Sequence, residues 1–153
     1  LSCSYAHDHQ RTLYTRVLES LESLDSFQLT DDKRFLQLGN MVYPHSDTES
    51  DITEYYGDEG FDRCFKETKG PTYSYKPGIV EEHGEFLAKG RIDRYSCKIS
   101  TILDQIEKTE GIVFIYTNWI KGGLLPTILA LEQAGYQRYD KRPTLLSDHK
   151  TTN

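Results

Sequence analysis

Residues 111–135, GIVFIYTNWIKGGLLPTILALEQAG, constrain the fold of this chain more than any other stretch. Gly111 opens an unbroken apolar run of Ile112, Val113, Phe114, Ile115 and Tyr116. A run this short, bounded by turn residues and rich in β-branched and aromatic side chains, predicts a strand buried on both faces. Such strands belong to parallel sheets covered by helices. A polar turn over 117–123 follows. Pro126 stands where the first turn of a helix tolerates proline. The helix is predicted to run to Ala134, and Gly135 suits the position just past its end. The stretch therefore reads as a strand–loop–helix unit, whose ligands sit at the carboxyl end of the strand.

That geometry makes Thr117, Asn118, Trp119, Lys121, Gly122 and Gly123 the candidate site. Backbone N–H groups at the start of helix 124–134 would face the loop, and the helix dipole favours an anion there. Gly122 and Gly123 would let a phosphate approach the backbone closely. Thr117 and Asn118 supply side-chain donors and Lys121 a charge. Trp119 either stacks on a base or packs under the sheet edge. A plain structural turn is the competing reading.

Charge and cysteine usage narrow the function classes. The 153 residues carry a net charge of −6, so no overall basic field argues for nucleic-acid binding. The distribution is uneven. Residues 45–62 hold seven acids (Asp47, Glu49, Asp51, Glu54, Asp58, Glu59, Asp62) and no Lys or Arg. Residues 111–153 hold five bases against three acids. Hydrophobic content of 37% predicts one real core and much irregular chain. The three cysteines, Cys3, Cys64 and Cys97, lie far apart, which fits reduced intracellular thiols better than a disulfide framework. No apolar run reaches the length of a membrane span, so no membrane partner is expected. Because the chain opens on Leu1 and stops soon after a strand-like segment, it reads as an internal fragment of a longer protein.

Along the chain, Tyr14, Val17, Leu18, Leu21 and Leu24 recur at helical spacing and predict an amphipathic helix over 9–24. Residues 28–33 read as a polar break. Phe35 to Leu38 leads into an extended Gly39-Asn40-Met41-Val42-Tyr43-Pro44 segment stopped by proline. Residues 45–60 read as an acidic surface loop. The Asp47-x-Glu49-x-Asp51 pattern lacks the glycine and terminal glutamate of a calcium loop. Phe61, Cys64 and Phe65 predict a short helix, Tyr73 to Tyr75 a short extended piece, and Ile79 to Leu87 a further helix with Glu81, Glu82 and Glu85 on its solvated side. Ser96 caps a helix carrying Ile99, Ile102, Leu103 and Ile106 that ends before Gly111. Residues 136–140 read as a second strand, giving α-β-α-β and a parallel sheet.

Familiar catalytic patterns are absent. The chain has no G-x-x-x-x-G-K-[ST], no G-x-G-x-x-G and no G-x-S-x-G. The histidines are scattered, with only His7-x-His9 close together. Neither Cys64 nor Cys97 has a sequence-evident base beside it. No catalytic residue is assigned.

The run YSCKISTILDQIEKTEGIVFIYTNWIKGGLLPTILALEQAGYQRYD, over residues 95–140, resembles superfamily 2 helicases of large nucleocytoplasmic DNA viruses, a group that includes the poxvirus-like and mimivirus-like helicases and early-transcription ATPases. The resemblance rests on K-I-x-x-I-L, a G-[IV]-V-F-[IV]-Y strand, a G-G-L-[LI]-P helix with A-L-E, and a closing G-[FY]-x-R-Y. His9-Gln10-x-x-x-Tyr14, Asn40-Met41-Val42-Tyr43-Pro44 and Tyr56-Gly57-Asp58-Glu59-Gly60-Phe61 are similar to earlier pieces of that family. Gly39 and Thr117 depart from it, each where serine is commoner.

The resemblance implies an α/β fold: a truncated second RecA-like domain with a parallel sheet over 93–153, preceded by a helical and irregular connector over 1–92. It further implies that Thr117, Asn118, Lys121, Gly122 and Gly123 lie along a nucleic-acid backbone, DNA rather than RNA. ATP and Mg would bind the intact parent protein, whose first RecA-like domain would be a partner, and this chain alone would be inactive. The expected location is intracellular, in host cytoplasm or virion. A non-catalytic scaffold within a viral transcription complex and an unrelated α/β phosphate-binding domain are the other expectations.

Overall fold

The computed structural model describes residues 8–22, 29–45, 51–68, 70–139 and 142–147. Expectations for His7, Leu24, Asp47, Glu49 and Asp140 fall outside them. Six helices dominate the described residues: α1 (Asp8–Glu22), α2 (Leu29–Asn40), α3 (Gly57–Cys64), α4 (Pro77–His83), α5 (Cys97–Lys108) and α6 (Leu125–Gln133). Two three-residue strands, β1 (Phe65–Glu67) and β2 (Tyr73–Tyr75), pair antiparallel with Phe65 opposite Tyr75.

The helical frame follows from where apolar side chains fall. On α1 the inward residues are Gln10, Leu13 and Val17, while Tyr14 and Leu18 of the expected stripe lie at the edge, 39% and 41% exposed. Gln10 is buried because it is fully used. Its Nε2 donates to the Leu38 carbonyl at 2.7 Å, and its Oε1 accepts from the Cys97 N–H at 3.3 Å. One side chain thus ties α1 to α2 and to the start of α5. Leu13, Val17, Leu38, Val42, Tyr55 and Tyr56 form a small cluster around that junction.

The main core is aromatic. Phe61 stacks on Phe65 at 4.8 Å between centroids, and Phe65 meets Tyr75 at 4.8 Å and Phe86 at 5.7 Å. Phe86 in turn contacts Tyr75 and Tyr95, both at 5.4 Å. Met41, Tyr43, Ile99, Leu103, Leu129, Ala130 and Leu146 close the cluster. Residues 145–147 reach it by bracketing Tyr73. Tyr73 N–H donates to the Leu145 carbonyl at 2.6 Å, and the Ser147 N–H donates back to the Tyr73 carbonyl at 2.8 Å.

Several expectations are corrected. The α/β architecture with a parallel sheet, the RecA-like arrangement, is not what these residues form: among the described residues the only sheet is the antiparallel β1–β2 pair. Residues 112–116 form no strand. Ile112 is 101% exposed, Phe114 88% and Tyr116 76%, and among the described residues no backbone hydrogen bond engages 111–116. A strand is held by N–H and C=O groups on its neighbours, and no described segment stands beside this one as a neighbour. The expected partner over 136–140 has no regular structure through Tyr139, whose side chain is fully exposed. Its polar Gln137 and Arg138 give it no apolar face to anchor. Residues 112–120 nevertheless keep a strand's period of two. Ile112, Phe114, Tyr116 and Ile120 point outward, while Ile115, Thr117 and Trp119 are half-buried.

Smaller differences have local causes. The helix expected over 79–87 stops at His83, because Gly84 takes φ 68° and its N–H returns to the Val80 carbonyl. Phe86 and Leu87 then drop into the core from a turn. The expected polar break over 28–33 is helical from Leu29 onward. Within the expected acidic loop, 51–60 is ordered by a 3-10 turn, Ile52–Tyr55, and by α3. Asp51 caps that turn by accepting from the Thr53 N–H at 3.0 Å, a bond that lowers its pKa. Glu54 Oε2 meets both His45 Nε2 and Arg63 Nη1 at 2.7 Å, holding the turn against α3. Ser96 caps α5 as expected, accepting from the Ile99 N–H at 3.0 Å.

Candidate functional site

The loop of residues 117–123 is shaped by an irregular start to its helix. Residues Ile120–Leu124 form a π-helical turn in which the Leu124 N–H donates to the Trp119 carbonyl at 2.9 Å and the Leu125 N–H to that of Ile120. The Leu125 amide at the start of α6 is therefore already bonded, because the π turn carries the helix start back to Ile120. Pro126 and Gly135, at φ 96°, occupy the positions expected of them.

The five residues expected along a nucleic-acid backbone divide into two groups, and Trp119 lies with the second. Lys121 and Gly122 turn toward α3. Lys121 Nζ pairs with Asp62 at 2.6 and 2.7 Å and lies 5.9 Å over the Phe61 ring. The Asp62 hydrogen bond raises the Lys121 pKa. The Lys121 carbonyl accepts from the buried Tyr43 hydroxyl. Gly122 is buried, and a Cβ there would lie 3.1 Å from Gln37 Oε1 and 3.4 Å from Gly57 Cα. These two residues anchor the loop.

Thr117, Asn118 and Gly123 instead line a hollow of about 300 Å³ between α2, α5 and the loop. Thr117 Oγ1 accepts from the Trp119 N–H at 3.4 Å, and Asn118 Oδ1 accepts from the Tyr116 hydroxyl at 2.6 Å. A Cβ on Gly123 would collide with Thr117 Oγ1, so only glycine lets the π turn approach Thr117 this closely. Leu36, Ile99, Ile102 and Ile115 give the hollow apolar walls, with Trp119 and Tyr116 beside them.

Its cation is Lys98, which the sequence did not single out. Lys98 Nζ donates to Asn40 Oδ1 at 2.9 Å. Asn40 is brought there because its carbonyl accepts from Ser96 Oγ, the same atom that caps α5. Nothing in a spacing of 58 positions says that Lys98 and Asn40 meet. Among the described residues lining the hollow there is one lysine and no carboxylate, and that lysine meets an amide oxygen.

Other groups have structural duties. Glu132 is buried and accepts the N–H groups of Leu145 and Leu146, both at 2.9 Å. Cys64 is buried, donates to the Pro44 carbonyl, and burial pushes its thiol up to about 12, far from a nucleophile's range. Among the described residues no group of His, Cys, Asp and Glu is placed to hold a metal ion, and no helix is long and apolar enough to cross a membrane. The chain matches no family model, no curated protein and no solved structure.

Proposed function

We propose that this chain is part of an ATP-dependent DNA helicase or translocase of the large nucleocytoplasmic DNA virus type, working in host cytoplasm or virion, and that it holds the nucleic-acid backbone. The observation that carries this reading is the hollow beside Thr117 and Asn118, with Lys98 held on an amide and no carboxylate among its described lining residues. A lone cation among amide and hydroxyl groups suits a phosphate diester. The motif resemblance over residues 95–140 supplies the class of parent protein and favours DNA over RNA.

ATP and Mg do not fit the residues present. The sequence has no P-loop, and no described acidic cluster would hold the ion. ATP hydrolysis is therefore assigned no step here. The ATP-binding half of the same protein is the expected partner, and the chain alone is expected to be inactive.

The test is fluorescence anisotropy with a labelled single-stranded oligonucleotide across a salt series. Binding should weaken steeply with salt, and Lys98→Gln should flatten the logarithmic slope by about 0.7, the contribution of one phosphate contact on a single strand. A salt-independent affinity, or one indifferent to Lys98→Gln and Asn118→Ala, overturns the reading. Lys121→Gln should matter less, because Lys121 is committed to Asp62.

A scaffold role is the second reading, favoured by the outward Ile112, Phe114 and Tyr116. It gains ground if oligonucleotides do not bind while substitutions at Phe114 abolish association with another protein.

A further inference from the structure

We infer that the hollow beside Lys98 receives one unpaired nucleobase, so that the site grips single strands and rejects duplexes; this rests on the nucleic-acid reading above. A phosphate alone needs donors and charge. It has no use for an apolar recess, yet Ile99, Ile102 and Ile115 build one directly beside the lysine. The combination suits a ligand with an anionic end and a flat, largely apolar body, which describes a nucleotide unit with its base turned out. The volume of about 300 Å³ lies at the small end of ligand pockets, the scale of one ring system rather than a base pair.

The polar groups agree with that occupant. Asn118 Oδ1 is taken by the Tyr116 hydroxyl, which leaves its amide nitrogen to donate to a base carbonyl. Thr117 Oγ1 already accepts from the Trp119 N–H. With so few edge-reading groups, recognition would come from stacking and apolar contact, which tolerate any sequence. In a duplex the bases are stacked inside and cannot enter, so only the phosphate contact would remain.

The experiment compares a labelled oligothymidylate, an abasic strand of equal length and a blunt duplex, all with the full chain at low salt. The base-bearing strand should bind about tenfold more tightly than the other two, the effect of one stacked base. Ile102→Phe, which fills the recess, should erase that advantage while leaving the salt slope intact. Lys98→Gln should weaken all three ligands alike. Trp119 is the single tryptophan, so its fluorescence reports the site without any variant. Oligothymidylate should quench it and the abasic strand should not.

Equal affinity for abasic and base-bearing strands, or quenching by both, overturns the base pocket and leaves the backbone contact standing. Displacement of the strand by an equimolar nucleoside monophosphate overturns the strand grip in favour of a free nucleotide. If none of the three ligands binds, or Lys98→Gln changes nothing, the nucleic-acid reading itself falls.

Discussion

Phe86 and Phe114 are the same side chain in opposite circumstances. Phe86 is wholly buried, in ring contact with Tyr43, Phe65, Tyr75 and Tyr95. Phe114 lies in the most apolar run of the chain and is 88% exposed. Phe86 comes from a turn in a stretch broken by glycines and prolines, yet it is ringed by partners contributed by three other parts of the chain. Phe114 only borders an open hollow shared with Ile102 and Ile106 of α5, and adjacent residues in an extended segment point to opposite sides. Burial is conferred by what crosses a residue in space. An apolar run states a need for cover without supplying it.

The contrast can be broken most sharply by truncation. Phe86→Ala should lower the unfolding free energy by about 3–5 kcal/mol, whereas Phe114→Ala should change it by less than about 0.5 kcal/mol. Urea denaturation of the two variants decides it, and comparable losses would refute the distinction. Next in size is Glu132→Ala, which leaves two amides of the core's closing segment without an acceptor and should cost about 2–3 kcal/mol. Faster hydrogen exchange at Leu145 and Leu146 would accompany it, and Glu132→Gln should lose less.

Alkaline pH probes the aromatic region as a whole. Burial raises the pKa of Tyr43 and of Tyr75, and holds Cys64 up at about 12. As pH climbs past the ordinary values near 9 and 10, the unfolded chain loses these protons first, so the folded chain binds more of them and stability falls. Full stability is expected below about pH 9, with a declining melting temperature above it. Tyr75→Phe should soften that decline, and a melting temperature flat to pH 11 would contradict it. The smallest effect on stability is at the outward face. Phe114→Ser should leave the melting temperature unchanged yet reduce binding of an apolar dye and self-association at high concentration. No reduction in dye binding would mean that the face is covered after all.

What could be read in the sequence follows the same division. Helices α1 and α5 were legible because their apolar residues recur at helical intervals and Ser96 marks a cap. The end of α6 was legible from Gly135. The sheet was not, because the run 112–116 carries the composition of a central strand whatever stands beside it. Between α2 and Ile92 the described residues hold only short elements, α3, β1, β2 and α4, and these with their turns carry most of the core rings; pieces of three to eight residues show too little period to fix their bounds. At the site, Thr117, Asn118 and Gly123 were singled out from the loop's chemistry, and the structure sets them along the hollow. The pairing of Lys121 with Asp62 was not legible, because the two lie 59 positions apart. Lys98 and Asn40 meet only through the docking of α2 on α5.

The bracket around Tyr73 has a consequence for the order of events during synthesis. Ser147 and Tyr73, 74 positions apart, share a hydrogen bond, and Leu146 is one wall of the aromatic cluster. That wall cannot be set in place until the ribosome has released the segment bearing it. Until then Tyr73 and its neighbours wait with their rings accessible, so the time this region spends open to misassociation is set by the emergence of residues 145–147 rather than of Tyr73 itself.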